Sequence, residues 1–479
     1  RYFMLPLLLG IWGIVWMLRS NWRGRMACGV VAALFIMTGV AIVVYLNQTP
    51  GEPRERDYTF LGSYMAFAIW IGAGALGLSR SIAETLEKLW KKRHGFRLRR
   101  MIAAALLGFI PSFGVVALMV VQNYDDHDRS GRRVASRYAY NVLMSLDPDA
   151  IIFVDGDNYT FPLWYAQEVE GVRRDVRVIN LSYLSNPRYA AMILREWDKT
   201  KPLNSVLKAP DLIYHAHISD GVDNCVSDTV EALKMLEALK ANPSAKIKAS
   251  FVKITTDSGD AIVLPITSLS RSGGSTLFEF RKLMMLDIIT SNLNAKDGIS
   301  RPVYWQKNVA SNMFMNMSPY LSERTLAYRL GIDDKETADS ALLTLTRILL
   351  PPNDTHREVY MDRTPAGMVA RLRADLTVGA RRLLRNGYKK EALELAVKTN
   401  RDFGINPYTF QNVKMGDSVF VTQREFVDLL SELADSTGRE DLRVMAQRHI
   451  DDIKRKNKAW ESYRKTLSPY MRLNMSKSP

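Results

Sequence analysis

Four runs of apolar residues occupy the first quarter of the chain, at positions 2–18, 26–46, 60–78 and 101–121. The last three are 19 to 21 residues long and contain no charged side chain. A helix needs about 20 apolar residues to cross the hydrocarbon core of a bilayer, where every backbone polar group must be satisfied within the protein. The pattern therefore predicts four transmembrane helices in the first 121 residues.

The loops between these runs differ in charge. The loops at 19–25 and 79–100 have an excess of Lys and Arg, whereas the loop at 47–59 carries three acidic and two basic residues. Because Lys and Arg accumulate on the cytoplasmic side of a membrane, the two basic loops are predicted to be cytoplasmic. The loop at 47–59 and everything after residue 121 then face outward. In a bacterium this places the protein in the inner (cytoplasmic) membrane, with a large C-terminal domain in the periplasm.

Most of the net charge of +15 comes from the first 121 residues, which contain the predicted membrane helices and their basic loops. Residues 1–121 carry 14 Lys and Arg against 5 Asp and Glu, while the other 358 residues carry 51 against 45. Such a surplus favours contact with anionic membrane lipids, and we expect no nucleic-acid partner. The chain starts with Arg and the first apolar run begins at once, so we expect a C-terminal portion of a larger multi-pass protein.

After a polar hinge at 122–133, the pattern changes to that of an α/β domain at 134–335. The run at 150–154 is short, β-branched and apolar on both faces, as in a buried parallel strand. An amphipathic helix at 159–170 and a strand at 176–181 follow, which makes a β-α-β unit with parallel strands. Further elements are predicted as strands at 251–255, 261–264 and 302–305 and as a helix at 277–293.

The remainder of the chain has only helical periodicity. Residues 336–467 are predicted to form helices, and 468–479 form a polar tail. Two of the helices, at 366–386 and 390–403, are joined across Gly387. Such helix-turn-helix pairs resemble tetratricopeptide repeats. The predicted fold class is thus a membrane α-helical segment, an outer α/β domain and a C-terminal all-α repeat-like domain.

The sharpest polar cluster is Asp155, Asp157 and Asn158, directly after the first predicted strand. Ligands favour the carboxyl ends of parallel strands, so these three are candidate pocket residues. Two carboxylates beside a Gly could also hold a divalent metal and a nucleotide sugar, although no metal is expected here. The same residues are common turn chemistry, and Asp157 or Asn158 could cap the following helix. All three interpretations stay open at this point.

A second candidate site is the outward loop that contains Arg54 and Arg56. Both arginines lie at the outer membrane–water boundary next to aromatic residues. A guanidinium can bind a lipid phosphate through two parallel hydrogen bonds, so the pair is a candidate donor-phosphate site. The alternative is an ordinary charged loop in the interfacial aromatic belt.

Several longer motifs carry a resemblance to a known family. The segments RERDYTFLGSY (54–64) and AIWIG (68–72) resemble a large family of bacterial multi-pass membrane proteins defined by a domain of unknown function. The segments GDNYTFPLWY (156–165), EGVRRDV (170–176) and RPVY (301–304) look like the outer domain of the same family. That family is similar to the animal membrane O-mannosyltransferases that modify plexin-type domains, which have the multi-pass C-type glycosyltransferase fold.

The resemblance implies a transferase that moves a sugar, such as mannose, from a polyprenyl-phosphate donor to an acceptor, such as a protein, on the outer face. It implies an acidic catalytic base in an outward loop that precedes Arg1, so no catalytic residue is assigned in this chain and the fragment alone is expected to be inactive. No cofactor is implied. Two other functions stay open: a periplasmic scaffold that binds a protein or envelope polymer through its helices, and a metal-dependent transferase centred on Asp155 and Asp157.

Overall fold

The computed structural model describes residues 4–47, 57–90, 102, 110, 113–124, 128–195, 201–208, 217–218, 228–256, 261–270, 277–293, 301–331, 335–353, 363–403 and 418–466. The chain divides into two compact units, Arg1–Arg129 and Ser130–Pro479. Each unit is described by itself.

The first unit consists of helices α1 (Leu5–Arg19), α2 (Trp22–Leu46), α3 (Leu61–Trp90) and α4 (Phe113–Tyr124). In the described part of the chain, two helices are long and apolar enough to cross a membrane: the 25 residues of α2 and the 28 residues of Tyr58–Thr85. The helices α1 and α4 are apolar but shorter.

The prediction of four membrane spans is therefore supported at two positions. The first predicted run forms a helix of only 15 residues, because it begins at Leu5 beside a proline and ends at the charged Arg19. Most of the first half of the fourth run, including 103–109, lies outside the described residues. The two longer helices expose large apolar side chains such as Val44 and Met65, as expected for surfaces that face lipid.

The helices α1 and α3 cross at very short range. A Cβ atom placed on Gly13 would overlap the backbone oxygen of Trp70, and one placed on Gly74 would overlap the backbone oxygen of Leu9. Only glycine allows two backbones to approach this closely, and small residues serve the same purpose where helices pack within membranes. The glycines of these two runs therefore position α3 against α1.

The second unit is built on a five-stranded mixed sheet. Its members in chain order are β1 (Ile151–Val154), β2 (Arg177–Asn180), β8 (Val303–Gln306), β9 (Leu321–Glu323) and β10 (Ala327–Leu330). The order across the sheet is β2-β1-β8-β10-β9. The strands β2, β1 and β8 are parallel, and β10 and β9 are antiparallel additions. The predicted parallel pairing of the first two strands is confirmed.

Helices cover both faces of this sheet. They are α5 (Val134–Met144), α6 (Asp157–Glu168), α7 (Pro187–Ile193) and α9 (Phe280–Leu293). Alternate residues of β1 enter different cores: Ile151 and Phe153 pack with α9, whereas Ile152 and Val154 pack with α5 and α6. A strand that is buried on both faces must be apolar throughout, which explains the unbroken apolar run in the sequence.

A smaller lobe lies between α7 and α9 in the chain. It contains β3 (His217–Ile218), β4 (Thr229–Glu231), α8 (Ala232–Ala241), β5 (Lys246–Ile247), β6 (Phe251–Thr255) and β7 (Ala261–Pro265). The strands β4, β6 and β7 form a three-stranded sheet, and β3 pairs with β5. The predicted bounds of β6 agree with the structure.

The C-terminal helices are α10 (Lys335–Ile348), α11 (Arg363–Arg385), α12 (Lys389–Asp402), α13 (Ser418–Thr437) and α14 (Glu440–Thr466). The helices α11 and α12 form a hairpin across Gly387, whose φ of +92° suits glycine. The described helices of this part do not establish the tetratricopeptide-like repeats that the sequence predicted. The buried Leu376 and Leu430 belong to the same apolar core as Ile152 and Leu163, so the helices and one face of the sheet share a core.

Candidate functional site

The loops after β1 and β2 are tied together at the carboxyl edge of the sheet. The hydroxyl of Ser182 donates a hydrogen bond of 2.6 Å to Oδ1 of Asp155. The hydroxyl of Tyr183 donates one of 2.9 Å to Oδ1 of Asp157. These four residues are half-buried or exposed, so the two carboxylates lie together at an accessible edge.

The backbone beneath these carboxylates is fixed by Gly156 and Asn180. Gly156 has a φ of +81° and is the N-cap of α6, a backbone conformation that favours glycine. The Nδ2 of Asn180 donates to Oγ1 of Thr160 at 2.7 Å, while its Oδ1 accepts from the Tyr183 amide at 2.9 Å. Asn180 therefore links the first turn of α6 to the loop that carries Tyr183.

The helix-capping interpretation of Asp157 and Asn158 is not supported. The N-cap position belongs to Gly156, and no side chain caps this helix. Asp157 lies in the first turn, where its negative charge interacts favourably with the helix dipole. Its carboxylate accepts the hydrogen bond from Tyr183 and does not cap the helix. That hydrogen bond raises the pKa of the Tyr183 hydroxyl above its usual value. Asn158 is exposed in the same turn.

The end of β8 adds two polar residues to the same edge. The Nδ2 of Asn308 donates a hydrogen bond of 2.6 Å to the backbone oxygen of Asp155, and its Oδ1 is buried without a partner. The neighbouring Lys307 is nearly buried, and its Nζ lies 2.7 Å from Oε1 of Glu323 and 3.4 Å from Oδ1 of Asp375. In open α/β sheets, ligands bind where the chain leaves two neighbouring parallel strands in opposite directions. The strand β1 leads to β2 on one side, and β8 leads to β9 and β10 on the other.

A buried group of ionisable side chains lies behind this edge. Burial raises the pKa of Asp375 despite the attraction of Lys307 and Arg371. Burial also raises the pKa of Tyr138 well above its usual value, with further contributions from Tyr159 and Asp375. The two tyrosine rings pack with centroids 5.8 Å apart. Shifted pKa values at a strand end are typical of functional sites, although structural ion pairs produce them as well.

Aromatic side chains continue the edge along α6 and α7. Tyr183 packs against Tyr189 with ring centroids 5.8 Å apart, and Trp164 contacts both Tyr189 and Phe161. Phe161 is 48% exposed and Tyr165 is 47% exposed. Exposed aromatic rings in one patch beside carboxylates form a surface suited to a ligand with both apolar faces and hydroxyl groups.

Other predicted site residues have different outcomes. Arg54 and Arg56 lie outside the described residues. Within the described part of the chain, no group of three or more His, Cys, Asp or Glu side chains is arranged to hold a metal ion. Both carboxylates of the Asp155 and Asp157 pair accept hydrogen bonds from hydroxyl groups.

Sequence reasoning missed Ser182, Tyr183, Asn308, Lys307 and Asp375. The first four follow strands in the chain in the same way as Asp155 does, so the rule used for Asp155 would have found them. Asp375 could not be found in this way, because it lies in α11 and meets Lys307 only through the shared core.

Comparison with known proteins identifies relatives of this part of the chain. Residues 135–271 match the family described as TMEM260-associated domain 2. A stretch of 139 residues is 30% identical to protein O-mannosyl-transferase TMEM260 of Mus musculus. The stretch covers 28% of this chain and only 18% of the mouse protein. No solved structure matches the chain.

The family match includes most of the candidate site. Residues 135–271 contain β1, α6, β2 and α7, together with Asp155, Asp157, Ser182 and Tyr183. Lys307, Asn308 and Asp375 lie beyond it. The similarity to the TMEM260 family therefore concerns the first half of the sheet domain and its lobe. Together with the two candidate spans, it supports association of the protein with a membrane.

Proposed function

We propose that this chain is part of a membrane glycosyltransferase that moves a sugar, such as mannose, from a polyprenyl-phosphate donor to a protein acceptor. The observation that carries the proposal is the similarity of 139 residues to a protein O-mannosyl-transferase. The proposed membrane part has four helices, and the second unit lies on the outer face, in the periplasm of a bacterium. These finer points extend the two candidate spans by the charge pattern of the loops.

In this proposal the carboxyl edge of the sheet holds the acceptor or its attached sugar. Asp155 and Asp157 supply hydrogen-bond acceptors, and Phe161 and Trp164 supply aromatic faces. A sugar ring has hydroxyl groups on its rim and apolar C–H groups on its faces, so it is compatible with both features. Asp155 and Asp157 are then binding residues, and the catalytic base is not among them.

Arg54 and Arg56 are the proposed site for the donor phosphate. A positive group that contacts the phosphate stabilises the negative charge that develops there as the sugar leaves. The guanidinium group is also suited to bidentate phosphate binding. This part of the proposal rests on the sequence of the outward loop alone.

The proposal is tested by measuring transfer of labelled mannose from polyprenyl-phosphate mannose by the full-length membrane protein in detergent. The variants are Arg54→Ala/Arg56→Ala and Asp157→Asn/Tyr183→Phe, with the exposed Arg188→Ala as matched control. We expect the arginine variant to raise KM for the donor about tenfold or more, and the site variant to raise KM for the acceptor. The control should leave both unchanged.

Different outcomes separate the open functions. Transfer that requires an added divalent metal and is lost in Asp155→Ala would favour the metal-dependent alternative. A full-length protein that transfers no sugar from any polyprenyl-phosphate donor, but binds a periplasmic protein through 336–467, would replace the enzyme by the scaffold.

A further inference from the structure

A cavity that adjoins the candidate site and shares Trp164 and Tyr189 with it lies beside the free edge of β2, between α6 and α7. Its volume is about 280 Å³. Trp164 from α6 and Tyr189 and Met192 from α7 line it, together with Val176 and Val178. Most of this lining is aromatic or aliphatic, as in small-ligand sites, whose volumes start at about 300 Å³.

Gln167, Glu168 and Arg174 also line the cavity, and Arg177 differs from the charged Glu168 and Arg174 in being buried. The residue is only 6% exposed, and no carboxylate among the described residues pairs with its guanidinium. Its Nη2 donates hydrogen bonds of 3.0 Å to the backbone oxygens of Arg195 and Lys201, whereas its Nε is buried without a partner. A buried charge is normally paired, but the described residues supply no counter-ion for this guanidinium.

A second arginine increases this excess of positive charge. Arg301 is 3% exposed, and its Nη1 and Nη2 donate to the backbone oxygens of Asp149 and Lys201 at 3.2 and 3.4 Å. Burial, together with the neighbouring charge of Arg301, lowers the pKa of Arg177 to about 10. The guanidinium nevertheless stays protonated at neutral pH, so the positive charge persists beside the cavity.

We infer that this cavity binds a small organic anion in which one phosphate or carboxylate group is joined to a ring or a short apolar chain. The anionic group pairs with Arg177, whose planar donors suit both oxyanions. The ring or chain packs against Trp164, Tyr189 and Met192. The inference does not rest on the proposed transfer reaction, because it follows from the charge and lining of the cavity alone.

The first test uses phenyl phosphate as the probe and the melting temperature of the full chain in a non-ionic detergent as the readout. We expect saturable stabilisation by phenyl phosphate at millimolar or lower concentration. Inorganic phosphate should bind at least tenfold more weakly, because it lacks the ring, and benzyl alcohol should give no saturable effect, because it lacks the charge. Equal effects of phenyl phosphate and benzyl alcohol would overturn the inference.

Two substitutions at one position localise the effect. Met192 is 41% exposed, so Met192→Glu and Met192→Gln should both fold. The glutamate supplies a tethered carboxylate at the mouth of the cavity, so it should raise the melting temperature of the protein without ligand. It should also weaken the binding of phenyl phosphate at least tenfold. The glutamine should change binding less than threefold. Equal binding by both variants would place the probe elsewhere and overturn the inference.

Arg177→Gln removes the charge itself. It should abolish the discrimination between phenyl phosphate and benzyl alcohol, and unchanged discrimination in this folded variant would contradict the assignment. The source of the natural anion is distinguished by comparing hexyl phosphate with N-acetylphenylalanine. Tighter binding of hexyl phosphate indicates a lipid-type phosphate, and tighter binding of N-acetylphenylalanine indicates a peptide carboxylate.

Discussion

Arg173 and Asp175 form a two-point ion pair across a single intervening residue. Nε and Nη2 of Arg173 each lie 2.8 Å from one oxygen of the Asp175 carboxylate. The same guanidinium donates to the backbone oxygens of Leu143, Leu146 and Asp147, which end α5 and lead into β1. The pair therefore satisfies carbonyl groups that the end of a helix leaves without partners.

We predict that Arg173→Ala lowers the free energy of unfolding by on the order of 2 kcal/mol, because three carbonyl groups lose a charged donor. Arg188→Ala, at an exposed position in α7, should change it by less than about 0.5 kcal/mol. Chemical denaturation of the full chain in detergent gives both values. Equal effects of the two substitutions would show that the Arg173 contacts add nothing to stability.

The pH dependence of this pair has a defined sign. Burial raises the pKa of Asp175, but the hydrogen bonds from Arg173 and from the Asp149 amide outweigh it and lower the pKa overall. A carboxyl group with a lowered folded-state pKa stabilises the protein above its unfolded value of about 3.9, and this contribution is lost as the pH falls. The stability difference between the parent protein and Asp175→Asn should therefore shrink below about pH 4.

The contribution of Asp375 to stability should change with pH in the opposite direction. Its pKa is raised by burial, so its contribution to stability is present at low pH and is lost as the pH rises through the folded-state value. We predict that Asp375→Asn gains stability relative to the parent protein as the pH rises above about 4. Denaturation midpoints between pH 4 and pH 7 measure this difference, and a difference that is flat or falls with pH would contradict the assignment.

Asp287 is a fully buried carboxylate that is satisfied entirely by neutral donors. Its two oxygens accept from the hydroxyls of Ser205 (2.5 Å) and Ser291 (2.9 Å) and from the amides of Val206 and Leu207. In Asp287→Asn an NH₂ group would face some of these donors, so we predict a loss of about 2–3 kcal/mol. The exposed Asp451→Asn is the control, and the readout is chemical denaturation. A loss as small as that of the control would mean that the segment around Ser205 rearranges freely.

The first unit offers a matched pair of glycines on one helix. A Cβ on Gly74 would overlap the backbone of α1, whereas one on Gly72 meets nothing within 4 Å. We predict that Gly74→Leu lowers the melting temperature of the membrane part in detergent by several degrees and that Gly72→Leu does not. Site-specific crosslinking between α1 and α3 in membranes should fall only in Gly74→Leu. Crosslinking that is unchanged in Gly74→Leu would contradict the described crossing.

The elements that the sequence predicted well are those with strong local patterns. The strand at 251–255 has alternating apolar positions and β1 is a continuous apolar run, and the structure contains both, with β1 parallel to β2. The strands β9 and β10 were missed, because three or four residues that include Ser322, Glu323 and Arg329 have no distinct strand pattern. They become strands only by pairing antiparallel to β8 at the edge of the sheet.

Among the functional residues, too, only those with a local sequence pattern could be predicted. Asp155 and Asp157 could be selected from the sequence because they directly follow a recognisable strand. The cavity at Arg177 could not, since its lining comes from a strand and two helices that pack around it. The motif EGVRRDV carries part of the family resemblance, and in the structure its Arg173 and Asp175 stabilise the end of α5.

The apolar core shared by the sheet and the C-terminal helices has a practical consequence for cutting the chain. Ile152, Leu163, Leu376 and Leu430 lie in one continuous cluster. A protein shortened to end near residue 335 would present the bare α5–α6 face of its sheet to water, and an exposed apolar surface of that size drives aggregation. Soluble expression and crystallisation of the second unit should therefore succeed with 130–466 and fail with 130–335.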